Sequence, residues 1–191
     1  MTATTQPFQL REDIIAVPLC VDLDGTLIRT DLLWVSMAVM LRRNVLRFFL
    51  LPVWWMRGRA YLKRQIAAQI EKIDPSNLPY NGPFLEFLRS EHRRGRILIL
   101  ATASDGSLAR QVADYLGLFS QVLASNGNTN VRGVVKARML VEKFGERGFD
   151  YAGNSFVDLA VWRKARAAIV VGGSTRLIRR VASVTKVAKT F

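Results

Sequence analysis

The 191 residues carry 28 Lys and Arg against 15 Asp and Glu, a formal net charge of +13, and half of them are hydrophobic. A chain so apolar is no disordered tail, and its length suits one α/β domain with a modest insertion. A single cysteine, Cys20, and a single histidine, His92, exclude an intramolecular disulfide, a Cys-based zinc cluster and a His-rich metal centre, so any catalysis rests on carboxylates, hydroxyls, Lys or Arg.

The N-terminus, MTATTQPFQLREDIIAV, has no basic segment followed by an apolar core, so no signal peptide is expected and a cytoplasmic location is the default. A first strand is predicted over 17–21, with Cys20 inside it as a small hydrophobe. The apolar stretches that follow, LLWVSMAVML and VLRFFLLPVWWM, are broken by Arg42, Arg43, Arg47 and Pro52. Each is well short of the ~20 residues that span a bilayer. From 31 to 81 the pattern is helical without a convincing strand, too long for a plain crossover, and it reads as an inserted helical lid. Strands are then predicted at 97–101, 121–124, 149–152 and 168–171. Helices are predicted at about 83–94, 106–117, 134–146, 156–165 and 174–182, with Gly95, Gly117 and Gly145 near their ends. The alternation implies a Rossmann-like parallel sheet sandwiched by helices. Its core would comprise 1–30 and 82–191, with a basic C-terminal tail. His92 is expected to be solvated.

The strongest local signal is PLCVDLDGTLIRTD, in which an apolar strand runs into Asp22, Leu23, Asp24, Gly25, Thr26 and Leu27. Asp-x-Asp-Gly-Thr-Leu arises by chance in on the order of one chain in ten thousand of this length. Ligands in open α/β sheets sit beyond the carboxyl ends of strands, where Asp22 falls. An Asp-Gly turn with an accidental second Asp is the alternative for the motif alone.

Here the chain resembles the haloacid dehalogenase-like superfamily, mostly phosphotransferases and phosphatases that form an aspartyl-phosphate. The remaining motifs of that family match in order. RILILATAS supplies Thr102, NVRGVVKARML supplies Lys136, and FDYAGNSFVDLAVW supplies Gly153, Asn154 and Asp158. The resemblance implies Asp22 as nucleophile, Asp24 as general acid and base, Thr102 as hydroxyl donor to a phosphoryl oxygen, and Lys136 as the cation that neutralises phosphate and nucleophile. It also implies Mg²⁺, held by Asp22, the Asp24 backbone carbonyl and position 154, with Asp158 nearby; oxygen donors suit this hard cation. Asn154 stands where the family usually has Asp, so weaker Mg²⁺ binding is expected unless Asp158 compensates. Ser104 and Asp105 either line the pocket or, more commonly for such residues, cap the following helix. An insertion directly after the first motif is where the superfamily carries its helical cap.

The insertion holds Arg29, Arg42, Arg43, Arg47, Arg57, Arg59, Lys63, Arg64 and Lys72 against Asp31 and Glu71, interleaved with Phe48, Phe49, Trp54 and Trp55. Two readings stay open. The aromatics form the lid's own core beneath solvated arginines, or the segment rests on anionic lipid. After Asp158 no acidic residue remains, which is consistent with a juxtamembrane stretch; nucleic acid ranks third, because no recognition motif accompanies it. The segments VDLDGTLIRTD, LPYNG, LATAS and FGERGFDYAGNS are similar to the phosphatase-like domain found ahead of UbiA-type membrane prenyltransferases. That similarity implies a phosphorylated small-molecule or lipid-linked substrate and a membrane prenyltransferase as partner. A catalytically weak or inactive module of the same fold is the alternative.

Overall fold

The computed structural model describes residues 17–70, 73–126 and 129–191. Residues 1–16, read above as lacking signal-peptide character, and the charged pair Glu71 and Lys72 lie outside the described residues.

The strands are β1 (Leu19–Val21), β2 (Leu98–Asp105), β3 (Gln121–Ser125), β4 (Asp150–Gly153), β5 (Ala167–Val170) and β6 (Lys186–Thr190). They form one parallel sheet in the order β3-β2-β1-β4-β5-β6, as the alternating pattern predicted. The inner strands are apolar on both faces because helices cover both. Leu19, Val21, Leu98 and Leu100 face one hydrophobic cluster, while Cys20, Ile99 and Ala101 face the other.

After β1 come α1 (Leu32–Arg43), a 3₁₀ segment Val45–Leu50, α2 (Leu51–Met56) and α3 (Arg59–Ala68), followed by α4 (Gly82–Arg93) and α5 (Gly106–Leu116). Asp31 caps α1 by accepting from the Leu33 amide at 2.8 Å, and Asp105 caps α5 from Ser107 at 2.9 Å; each satisfies an otherwise unpaired helix-end donor. Gly117 ends α5 in the left-handed region, φ +63°, which a side chain would disfavour. Phe84 and Leu88 of α4 and Leu108 and Val112 of α5 pack on the Leu19 face. There they join Leu32, Met40, Leu62 and Ile66 of the insertion in one cluster. On the other face lie α6 (Val134–Phe144), α7 (Leu159–Trp162) and α8 (Thr175–Ala182).

Two expectations are corrected, and one pair of open readings is narrowed. The end of the basic tail is a strand: β6 pairs with β5 at the sheet edge, and its lysines face solvent, which discourages further strands from adding there. The helix expected over 156–165 is a 3₁₀ turn, Phe156–Asp158, followed by one helical turn ending at Trp162, because the Asp158 side chain is used in capping the turn. Of the insertion's aromatics, Trp54 is buried as a core residue, but Phe48, Phe49 and Trp55 are exposed among the described residues. No helix among the described residues is long and apolar enough to cross a membrane.

The two ends of the sheet differ in chemistry. At the amino ends of the strands, buried Arg96 donates to Glu91 at 2.8 Å and to Asp150, whose carboxylate also accepts from Arg166 at 3.0 Å. At the carboxyl ends, β1 and β4 are neighbours whose connections lead to opposite halves of the sheet. That arrangement opens a crevice between them.

Candidate active site

Asp22 leaves β1 at this crevice, and Asn154 leaves β4 opposite it. Asp22, Asp24, Lys136, Asn154 and Asp158 all line one cavity of about 350 Å³. The Lys136 ammonium, on the first turn of α6, donates to Asp22 Oδ1 at 2.7 Å and to the Tyr151 hydroxyl at 2.9 Å. Tyr151 in turn donates to Asp158 Oδ1 at 2.9 Å. The other Asp158 oxygen accepts from the Ser155 amide and hydroxyl, each at 3.0 Å, and from the Asn154 amide at 3.2 Å. Asp158 therefore holds the loop after β4 in shape. Gly153 permits this, since a Cβ there would stand 2.8 Å from Asp158 Oδ2.

Asp24 is held from the other side of the crevice. Its Oδ1 accepts from the Leu32 amide at 2.7 Å, and its Oδ2 accepts from the Ser104 hydroxyl at 2.6 Å. Thr102, fully buried in β2, lies beneath the cavity and is not among its lining residues. Its hydroxyl is 3.5 Å from Asp24 Oδ2 and accepts from the Ser104 amide at 3.0 Å.

Burial dominates the electrostatics. It pushes the Asp22 carboxyl up to about 7, opposed by Lys136 and reinforced by Asp158 and Asp24. Burial also raises Asp24, with Asp31 adding to the effect. Tyr151 is raised well above the usual phenol range by burial and by the charges of Asp158 and Asp22, so it remains a neutral bridge. Cys20 is pushed up to about 12 by burial and Asp150 and is an inert core thiol.

Lys63 of α3 donates to the Ala103 carbonyl at 2.7 Å, tying the insertion to the end of β2. Burial lowers its pKa despite Asp24 and Asp31 nearby. With Arg29, Arg59 and Arg132 it gives the cavity a cationic lining around the acidic cluster, an arrangement suited to an anion delivered to a carboxylate.

No group of three or more His, Cys, Asp and Glu side chains among the described residues forms a ready metal cluster. The cavity lining nevertheless includes Asp22, Asp24 and Asn154, which can offer oxygen donors: a carboxylate, a backbone carbonyl and a side-chain amide. One or two carboxylates completed by neutral oxygens and water is what Mg²⁺ accepts, so the residues fit that ion.

Sequence reasoning missed Tyr151 and Lys63 as parts of this network. Tyr151 reads as an ordinary strand residue. Of the pair read as either pocket-lining or helix-capping, Ser104 bonds Asp24 while Asp105 caps α5. Lys63 reads as one solvated base among many, and only its place on the inner side of α3 reveals otherwise.

A model of the family "haloacid dehalogenase-like hydrolase" matches residues 19–163. The chain is 34% identical over 160 residues to the uncharacterized protein y4nM of Sinorhizobium fredii, a match that covers 84% of this chain and 31% of that protein. The chain thus spans about a third of that relative's length. Among solved structures, a protein of unknown function from Bordetella pertussis Tohama I superposes with a TM-score of 0.64 at 15% identity, covering 89% of this chain and 97% of the other. A phosphoserine phosphatase in its apo form gives a TM-score of 0.60 at 12% identity, covering 92% of each chain. These two likenesses are of fold. With the family model across most of the chain, the conclusion is that this protein belongs to the haloacid dehalogenase-like hydrolases.

Proposed function

We propose that the chain is a Mg²⁺-dependent phosphomonoester hydrolase that works through an aspartyl-phosphate on Asp22. The observation carrying this reading is the 2.7 Å bond between Lys136 and Asp22 on a cavity whose lining also includes Arg29, Arg59, Lys63 and Arg132. A carboxylate nucleophile approaching a phosphate dianion needs cations around both.

A carboxylate oxygen of Asp22 attacks phosphorus, the bond from phosphorus to the ester oxygen breaks, and Asp24 gives that oxygen a proton. Water then attacks the acyl phosphate, Asp24 takes its proton back, and phosphate leaves with the Asp22 carboxylate restored. The upward shift of Asp24 supports its holding a proton for the leaving group. Lys136 stays paired with Asp22 and neutralises charge as the phosphoryl group transfers. The phosphoryl-oxygen role expected of Thr102 requires its buried hydroxyl to turn into the cavity; as it stands it lies 3.5 Å from Asp24 Oδ2, beside the Ser104 hydroxyl that holds Asp24 in place. Mg²⁺, bound by Asp22, the Asp24 carbonyl and Asn154 with Asp158 behind them, would offset the phosphate's negative charge.

In this reading residues 31–81 are a cap over a core of 1–30 and 82–191, and Lys63 is its link to the site. The substrate is a phosphorylated metabolite or a lipid-linked sugar phosphate. The similarity to domains preceding UbiA-type prenyltransferases supports work beside a membrane prenyltransferase on the cytoplasmic side. A second reading, a catalytically weak module of the same fold, is favoured by one observation, the neutral Asn154 at a metal-ligand position. Phosphate release from an aryl phosphate with Mg²⁺ separates the two. Turnover abolished by Asp22→Asn supports the enzyme, and equal background from both proteins supports the module.

A further inference from the structure

We propose that the face formed by residues 45–56 is a peripheral docking surface for an anionic lipid bilayer. The 3₁₀ segment Val45–Leu50 buries none of its residues, and α2 buries only Trp54. Phe49 is 73% exposed and Met56 87%, and Val45, Leu46, Phe48 and Trp55 are also exposed. Soluble proteins rarely leave so many large apolar side chains together in water unless something covers them.

The charges around this face select the partner. Arg42, Arg43 and Arg57 flank it, all exposed, and the sequence holds no Asp or Glu from Leu32 to Ile70. The partner must therefore offer apolar material and negative charge side by side. A bilayer interface does so, with acyl chains beneath a layer of acidic headgroups, and exposed Trp and Phe settle at that boundary while Arg stays among the phosphates. A second copy of the same face would set arginines against arginines with no carboxylate between them. Since no helix among the described residues is long enough to cross a membrane, attachment through this face is to the surface. The face also reaches the active site: Arg59, which lines the cavity, lies over the Trp55 ring with its guanidinium 5.8 Å from the centroid.

The test is co-sedimentation of the 191-residue chain with phosphatidylcholine vesicles and with vesicles containing phosphatidylglycerol, at low and high salt and without substrate. The readout is then independent of phosphatase activity. The wild type is expected to bind the anionic vesicles and to release them as salt rises. The paired substitutions Phe49→Ser with Met56→Ser, and Arg42→Glu with Arg43→Glu, should each weaken binding by about tenfold or more, with thermal unfolding showing both variants folded. Failure of the wild type to bind anionic vesicles, or wild-type binding by both folded variants, overturns the proposal. So does a concentration-dependent dimer that Phe49→Ser with Met56→Ser dissolves while vesicles bind neither protein.

Discussion

Asn154 occupies the space that a side chain on Gly25 would fill. A Cβ built on Gly25 would overlap the Asn154 amide, and Gly25 sits at φ +73°, where L side chains are strained. The two glycine-flanked turns, one after β1 and one after β4, therefore close on each other across the crevice. Gly25→Ala should lower stability by about 1–3 kcal/mol in urea unfolding and should weaken Mg²⁺ binding by displacing Asn154. Unchanged unfolding and unchanged Mg²⁺ affinity would show that the contact is unimportant.

Replacing Asn154 by Asp tests its place in the metal shell. A further carboxylate beside Asp22, Asp24 and Asp158 repels them when no cation is bound and binds Mg²⁺ more strongly when one is. Metal-free Asn154→Asp should melt below wild type, gain more stability from Mg²⁺, and reach half-saturation at about a tenfold lower concentration by calorimetry. An identical Mg²⁺ titration would remove residue 154 from the shell.

The raised carboxyl of Asp22 has a consequence for stability. Its pKa is about 7 in the fold against about 4 in an unfolded chain, so between those values the folded protein binds the extra proton. The stability this group contributes is fully present below about pH 4 and is lost as pH rises through about 7, with a slope of at most about 1.4 kcal/mol per pH unit. In chelator, wild-type stability should fall over that window, and Asp22→Asn should remove that part of the slope. Parallel pH profiles would contradict the shift.

Much of the site could be read from the chain because its chemistry sits at strand ends. Asp22, Asn154 and Asp158 follow short apolar runs, and Lys136 opens a helix marked by Gly133 and Gly145. The network behind them was hidden. Tyr151 alternates like any strand residue, and nothing local indicates that its hydroxyl lies between Lys136, 15 residues away, and Asp158. β6 was hidden for a different reason: an exposed edge strand keeps its lysines, and KVAKT lacks the apolar run that marks a buried strand. The aromatics of the insertion fit either a helical core or an exposed face by their spacing, and only the packing among the described residues separates buried Trp54 from exposed Phe48, Phe49 and Trp55.

Arg96 tests the opposite end of the sheet. Removing it leaves Glu91 paired only with the exposed Arg94 and Asp150 only with Arg166, a loss of about 1.5–3 kcal/mol for Arg96→Ala in urea unfolding. Because the cluster lies away from the carboxyl-end crevice, the activity of that variant should track its folded fraction. A drop in turnover by fully folded protein would couple the two ends.

The most direct measurement is peptide mapping by mass after acid quench of the enzyme turning over an aryl phosphate with Mg²⁺. A phosphoryl group should appear on the peptide containing Asp22 in the wild type, and Asp22→Asn should show neither the adduct nor phosphate release. Turnover that survives Asp22→Asn, with that peptide unmodified in the wild type, would contradict Asp22 as the nucleophile.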